Sequence, residues 1–330
     1  MSSWDAYDKF PFKNYLGANM EEIKTEPMRV QKPGYFIESP VFPSVNELKD
    51  ILGLRDSTIQ TNEIALQYFE EIGNAKEEGI NNFLKQMGDK YKISHGTNKF
   101  SFLKSTIHGS YIVQTYNIAE SFFKSLIREY RYYKNISGDS WKTKNENGET
   151  IDVFNQLLYN LPNASRALVE EKPEYKLLDY YRLVRNANVH LHIDRDKING
   201  YYNKYVVPNK QYFQSNYSGI QNAPNSIYDI NFEDFQLYTR ALKYFSNHIN
   251  NACDLQISEI AQKAAEDKDL QNYMRKFHLL PQKRRMKLIG YYRGKHRMTA
   301  ESMKHSKQFA DYFIKHYCND STSSKKKRGK

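Results

Sequence analysis

The sequence predicts a mainly α-helical protein with small hairpin and loop insertions and a basic helical C-terminal extension. Three observations lead there. Apolar residues repeat at three- and four-residue spacing over long stretches, the pattern of helices with one buried face. Helix-start residues stand where several of those stretches begin, as at Ser44, Asn231 and Pro281. The composition, 39% hydrophobic and 26% charged with 27 Tyr and 18 Phe, is that of a globular chain able to build a sizeable core.

Residues 1–43 hold several prolines and scattered aromatics without a clear period, and read as an extended arm on the body. Ser44-Val45-Asn46-Glu47 is a capping-box pattern and predicts a short helix ending near Gly53. Ala65, Tyr68, Ile72, Ala75, Gly79, Phe83 and Met87 predict a helix over 62–88, weakened or stopped by Gly73, Gly79 and Gly88. The clearest helix covers about 100–134, where Ile112, Tyr116, Ala119, Phe123, Leu126 and Tyr130 step by four, three, four, three, four. Asn147-Gly148 predicts a tight turn or small hairpin, and a helix near 152–161 stops at Pro162.

A helix is expected over 174–192, with Leu177, Tyr181, Val184, Asn188 and Leu191 on one seam and Arg182, Asn186 and His190 on another face. The Gly-, Asn-, Pro- and Tyr-rich stretch 199–231 reads as loop, with a short strand at 201–207. Asn231 then caps a long helix to about 265, with seam Phe235, Tyr238, Leu242, Phe245, Ile249 and Ala252. Pro281 suits the first turn of one further helix, and Thr299 caps another reaching about Cys318. These elements divide the chain into an arm and short helix (1–60), a helical domain (61–265), a basic helical extension (266–320) and a disordered basic tail (321–330).

The net charge of +11 is uneven. Residues 271–330 carry 17 Lys and Arg against Glu301, Asp311 and Asp320, whereas the first 270 residues carry 32 against 35 acids. A cationic end of this kind points to nucleic acid before an anionic membrane surface. Apolar runs are far shorter than the roughly 20 residues that span a bilayer. The N-terminus lacks the basic and apolar segments of a signal peptide. Two cysteines, Cys253 and Cys318, make no disulfide framework, so a reducing cytoplasm is expected. The Tyr, Lys, Asn and Ile bias resembles that of AT-rich genomes and points to a bacterial or phage source.

The sharpest chemistry lies in Leu183-Val184-Arg185-Asn186-Ala187-Asn188-Val189-His190-Leu191. Metal-free RNA cleavage needs a base for the ribose 2′-OH, stabilisation of charge on the five-coordinate phosphate and an acid for the leaving 5′-oxygen. Histidine supplies acid or base near neutral pH, and arginine clamps phosphoryl oxygens through paired hydrogen bonds. Asn186 would orient His190 one turn away or bond the ribose. Five residues on an ideal helix are separated by about 140°, so Arg185 and His190 share no face unless the helix distorts, the arginine reaches, or a dimer completes the site.

Arg185-Asn186-x-x-x-His190 resembles the R-x4–6-H motif of HEPN ribonucleases, in which the residue after the arginine is often Asn, Asp or His. The resemblance covers roughly residues 62–262 and implies a HEPN-like helical bundle with the motif on a late helix. It further implies a metal-independent endoribonuclease without cofactor, whose cleft forms at a homodimer interface from an Arg185/His190 pair of each subunit. The products would carry 2′,3′-cyclic phosphates. Such proteins serve in toxin–antitoxin, abortive-infection and CRISPR immunity, so an antitoxin, guide RNA or activator protein is a further implied partner.

Other residues are read against simpler roles. Glu120 either orients Arg185 or His190 from the neighbouring helix or pairs with a lysine. Arg182 either adds a phosphate contact or makes a surface ion pair. His190-x-His192, and His305 with His316 and Cys318, lack the paired ligands of a zinc site, so no metal is expected. Lys283, Arg284, Arg285, Lys287, Arg293, Lys295 and Arg297, interleaved with Tyr291 and Tyr292, are the expected contacts to single-stranded or tRNA-like RNA. Two alternatives to the nuclease are a non-catalytic RNA- or protein-binding module of the same fold and a DNA-binding regulator acting through 271–318. No P-loop, dinucleotide fingerprint, G-x-S-x-G elbow or His-Glu-x-x-His helix is present.

Overall fold

A computed structural model describes residues 39–296, except His95, Thr97 and Leu191, and residues 302–318. These all belong to one compact unit, Gly34–Lys330. The expected arm up to residue 38, the cap at Thr299 and the basic tail lie outside the described residues. The fold is mainly α, as the periodicity predicts. Its helices are α1 (Pro43–Asn74), α2 (Gly79–Tyr91), α3 (Phe100–Tyr133), α4 (Val153–Asn160), α5 (Asn163–Glu170), α6 (Pro173–Val189), α7 (Arg195–Tyr201), α8 (Lys210–Asn216), α9 (Phe232–Cys253), α10 (Ile257–Ala265), α11 (Lys268–Lys276), α12 (Pro281–His296) and α13 (Ser302–Tyr317).

The core is built around α3, which packs against α1, α6 and α9, while α6 also packs against α9. Ile112, Ala119, Phe123, Leu126 and Tyr130 of its seam are buried, as are Leu177, Tyr181 and Val184 of α6 and Phe235, Tyr238, Leu242, Phe245 and Ile249 of α9. Two polar clusters sit within this core. Asp234 accepts hydrogen bonds from Tyr181 Oη (2.9 Å), from the Asn225 backbone and side chain (both 2.9 Å) and from the Asn231 backbone (3.0 Å). Glu63 of α1 and His108 of α3, both buried, meet at 3.1 Å.

Several elements differ from expectation for identifiable reasons. The first helix does not end at Gly53 but continues to Asn74, because Leu48, Leu52, Ile59 and Glu63 keep one buried stripe through the glycine. Its start is not a capping box either: the Ser44 backbone and hydroxyl donate to Glu129 of α3 at 3.1 and 2.7 Å. The helix expected over 62–88 breaks after Asn74. A side chain at Gly73 would collide with Ile80, and Gly79 opens α2 at φ +75°. Past Pro162 the chain forms a further short helix, α5, which the apolar pattern does not predict.

The stretch 201–207 is not a strand. Asp194 caps α7, whose course continues through a π turn (Tyr202–Val206) and a 3-10 turn (Val207–Asn209) into α8. Ile198, Tyr202 and Val206 are buried at four-residue spacing, so helical packing overrides their β preference. Among the described residues the expected hairpin is a tight turn closed by a single antiparallel bridge, Lys144 to Thr150. The long helix from Asn231 ends at Cys253, because Asp254 is left-handed (φ 45°) and Gln256 with Glu259 caps a new helix.

The basic region is helical. It contacts the body: α13 packs on α10, and α12 touches α1. His296, at the end of α12, is 1% exposed and hydrogen-bonds Val41 O (3.1 Å) and Tyr133 Oη (3.3 Å). No described helix is long and apolar enough to cross a membrane.

Candidate functional site

The motif occupies the last turn of α6 and the residue beyond it. Pro173 starts α6, and the helix ends at Val189. His190 therefore leaves the helix with extended backbone (φ −116°, ψ 116°), and its side chain is exposed. The 140° separation expected of a continuous helix no longer applies. Asn186 links the two candidates. Its side-chain oxygen accepts a hydrogen bond from Arg185 Nη1 at 3.1 Å, and its carbonyl accepts one from the His190 backbone N–H at 2.9 Å. Asn186 thus holds the arginine with its side chain rather than orienting the histidine ring.

Arg185 is half-buried, with its guanidinium 5.0 Å from the centre of the Tyr116 ring on α3. Its Nε is buried and has no partner among the described residues, and no carboxylate there forms an ion pair with it. Tyr116 itself is half-buried; burial raises its hydroxyl pKa, Glu120 and Asp152 push the same way, and Arg182 and Arg185 oppose them. α6 can approach α3 closely near this end because of Gly109, whose missing side chain leaves room for the Asn188 amide. Asn188 is exposed despite standing on the apolar seam.

The two supporting candidates are both ion-paired. Arg182 Nε donates to Asp179 at 2.8 Å, and its Nη1 lies 3.9 Å from Asp152. Asp152 also caps α4, so Arg182 ties α6 to the start of α4 and its charge is neutralised. Glu120 pairs with Lys124 at 2.6 Å along α3. The structure brings together Arg185, Asn186 and Tyr116; it draws no hydrogen bond between Arg185 and the His190 side chain among the described residues. Tyr116 reads in sequence only as a core position. Asp179 stands three residues before Arg182, a helix-pair spacing that sequence alone exposes.

The basic segment divides. Lys283, Arg285, Lys287 and Lys295 are exposed, and Tyr291 and Arg293 are half-buried. Arg285 pairs with Asp311 at 2.9 Å. Two expected RNA contacts belong instead to the interior. Tyr292 is 0% exposed and stacked on His296 at 4.5 Å. Arg284 is buried and donates to the carbonyls of His278 (3.3 Å) and Cys318 (3.2 Å), tying α12 to the end of α13. Neither can stack on a base or grip a phosphate without unpacking. Arg297 lies outside the described residues. Among the described residues no three His, Cys, Asp or Glu side chains gather as metal ligands would.

No protein-family model matches the chain, and no curated protein and no solved structure shows significant similarity to it.

Proposed function

We propose that this protein is a metal-independent endoribonuclease of HEPN type, with Arg185 clamping phosphate and His190 transferring protons. The observation that supports this is the state of Arg185. Its half-buried guanidinium is positioned by Tyr116 and Asn186, yet no described carboxylate neutralises it. A phosphate would supply the counter-charge. Arg182, three residues earlier, has two carboxylates and no such need.

In the proposed reaction a base takes the proton of the ribose 2′-OH, and the 2′-oxygen bonds to phosphorus. The bond from phosphorus to the 5′-oxygen breaks, and an acid protonates that oxygen. Arg185 would stabilise the charge on the equatorial oxygens. One His190 serves one of the two proton transfers. Its exposed place beyond the end of α6 suits a second copy of the chain bringing the other, with Arg185, into a shared cleft. A cytoplasmic role in defence or as a toxin, restrained by an antitoxin or released by a guide RNA or activator, rests on the family resemblance alone.

A non-catalytic RNA-binding module is the second reading. It is favoured by the lack of a described hydrogen bond between Arg185 and His190, which leaves the pair unassembled within one chain. The two readings part on an RNA carrying 2′-deoxyribose at a mapped cleavage position. The nuclease gives 2′,3′-cyclic phosphate ends on the all-ribose RNA and leaves the deoxy position intact. A binding module retains both RNAs and cuts neither.

A further inference from the structure

On α11 and α12 aromatic rings are covered by lysine ammonium groups. Lys287 Nζ lies 5.2 Å from the ring centre of Tyr273, and Lys283 and Lys276 Nζ lie 5.4 and 5.5 Å from that of Phe277. Lys295 Nζ lies 5.8 Å from the ring of Tyr291. Lys283, Lys287, Tyr291 and Lys295 step by four along α12, and Tyr273 on α11 and Phe277 just past its end have ring centres 4.5 Å apart. From Lys283 to Lys295 the row is ~18 Å long at the helical rise. All three rings are half-buried, and Tyr291 lies near-parallel to Phe309 of α13 at 6.3 Å, so one face is backed by the core. Residues 267–296 hold nine Lys and Arg against two acids, Asp269 and Asp267, the latter beside the Tyr291 hydroxyl.

We infer that this face is a stacking platform for single-stranded RNA. A ring under an ammonium already presents the electron-rich face that a base would cover. When a strand arrives, the flexible lysine stem swings its ammonium from the ring to a phosphate, and an unpaired base takes its place. Each lysine thereby keeps an attractive partner before and after binding. A duplex offers its backbone and hides its base faces, so it would meet the lysines alone. An anionic bilayer would engage the exposed Leu279 and Met286 beside the row and leave the rings unused. Tyr273 and Phe277 enter this surface from α11, outside the stretch that the sequence marks as basic and aromatic.

The inference stands apart from the nuclease proposal, because binding is measured on full-length His190→Ala, which cuts nothing under that proposal. The probe is a fluorescein-labelled oligouridine of about 12 nucleotides, read by anisotropy and compared with an RNA duplex of equal length. The oligouridine binds more tightly than the duplex, and its affinity falls as salt rises. Replacing Tyr273 and Phe277 by Leu, or Lys283 and Lys287 by Gln, weakens it about tenfold or more. The lysine variant changes exposed side chains only, so it decides the matter even if the ring variant fails to fold. Equal affinity for the duplex overturns the inference. So does unchanged oligouridine binding by the lysine variant, or binding to phosphatidylserine vesicles without binding to oligouridine.

Discussion

The guanidinium of Arg185 rests 5.0 Å from the centre of the Tyr116 ring, and this contact joins the end of α6 to α3 at the candidate site. A cation over a ring is worth roughly 0.5–2 kcal/mol, enough to hold a long side chain in one place. Tyr116→Phe keeps the ring and should leave RNA binding and cleavage within about twofold, since phenylalanine also presents a π face. Tyr116→Leu frees the arginine and should lower cleavage about tenfold. Cleavage rates for the two variants, beside thermal melts showing both folded, check this. Equal loss in both would assign the effect to the hydroxyl.

Stability should fall in acid through His296. Its buried Nδ1–H donates to Val41 O, and Nε2 accepts from Tyr133 Oη. Burial pulls its pKa from 6.5 down to about 4, opposed by the Val41 bond and aided by His305 and Lys295. The native state thus stays neutral where the unfolded chain takes a proton. Stability is lost as pH falls from about 6.5 towards 4, by on the order of 2 kcal/mol at pH 5, and this group adds no slope above that window. Urea unfolding at pH 7 and pH 5 should show a smaller difference for His296→Gln than for wild type.

Asp234 should be among the most sensitive core positions. It accepts four hydrogen bonds from Tyr181, Asn225 and Asn231 while fully buried. Asp234→Ala leaves those donors without a partner and should cost about 3 kcal/mol or more. Tyr181→Phe removes a single bond and should cost about 1 kcal/mol. Denaturant midpoints at constant slope measure both.

Much of this fold was legible because its helices carry long, regular apolar seams. α3 and the first two-thirds of the predicted 231–265 helix follow directly from positions such as Phe123 and Phe245. What stayed hidden depends on contacts distant in sequence. Glu129 replaces the capping box at Ser44, and the four-residue burial of Ile198, Tyr202 and Val206 overrides a strand-like composition. At the site, Arg185, Asn186 and His190 were visible as a motif. The ring that holds Arg185 was not, because Tyr116 lies on another helix and looks like any core tyrosine. Tyr292 misled for the converse reason: a tyrosine among cations reads as exposed, and only packing against His296 and Phe309 reveals otherwise.

Gly73→Ala should separate fold from site. The new methyl would press into Ile80 where α1 meets α2, far along the chain from α6. Overpacking of this kind costs about 1–3 kcal/mol. The variant should melt lower yet cleave RNA at the wild-type rate below its transition, as paired melting and cleavage assays would show.

The most direct test of the central claim is cleavage of total tRNA in excess EDTA by wild type, Arg185→Ala and His190→Ala. Wild type should cleave, and both variants should lose cleavage while staying folded and still binding RNA. Equal cleavage by all three proteins would contradict that claim.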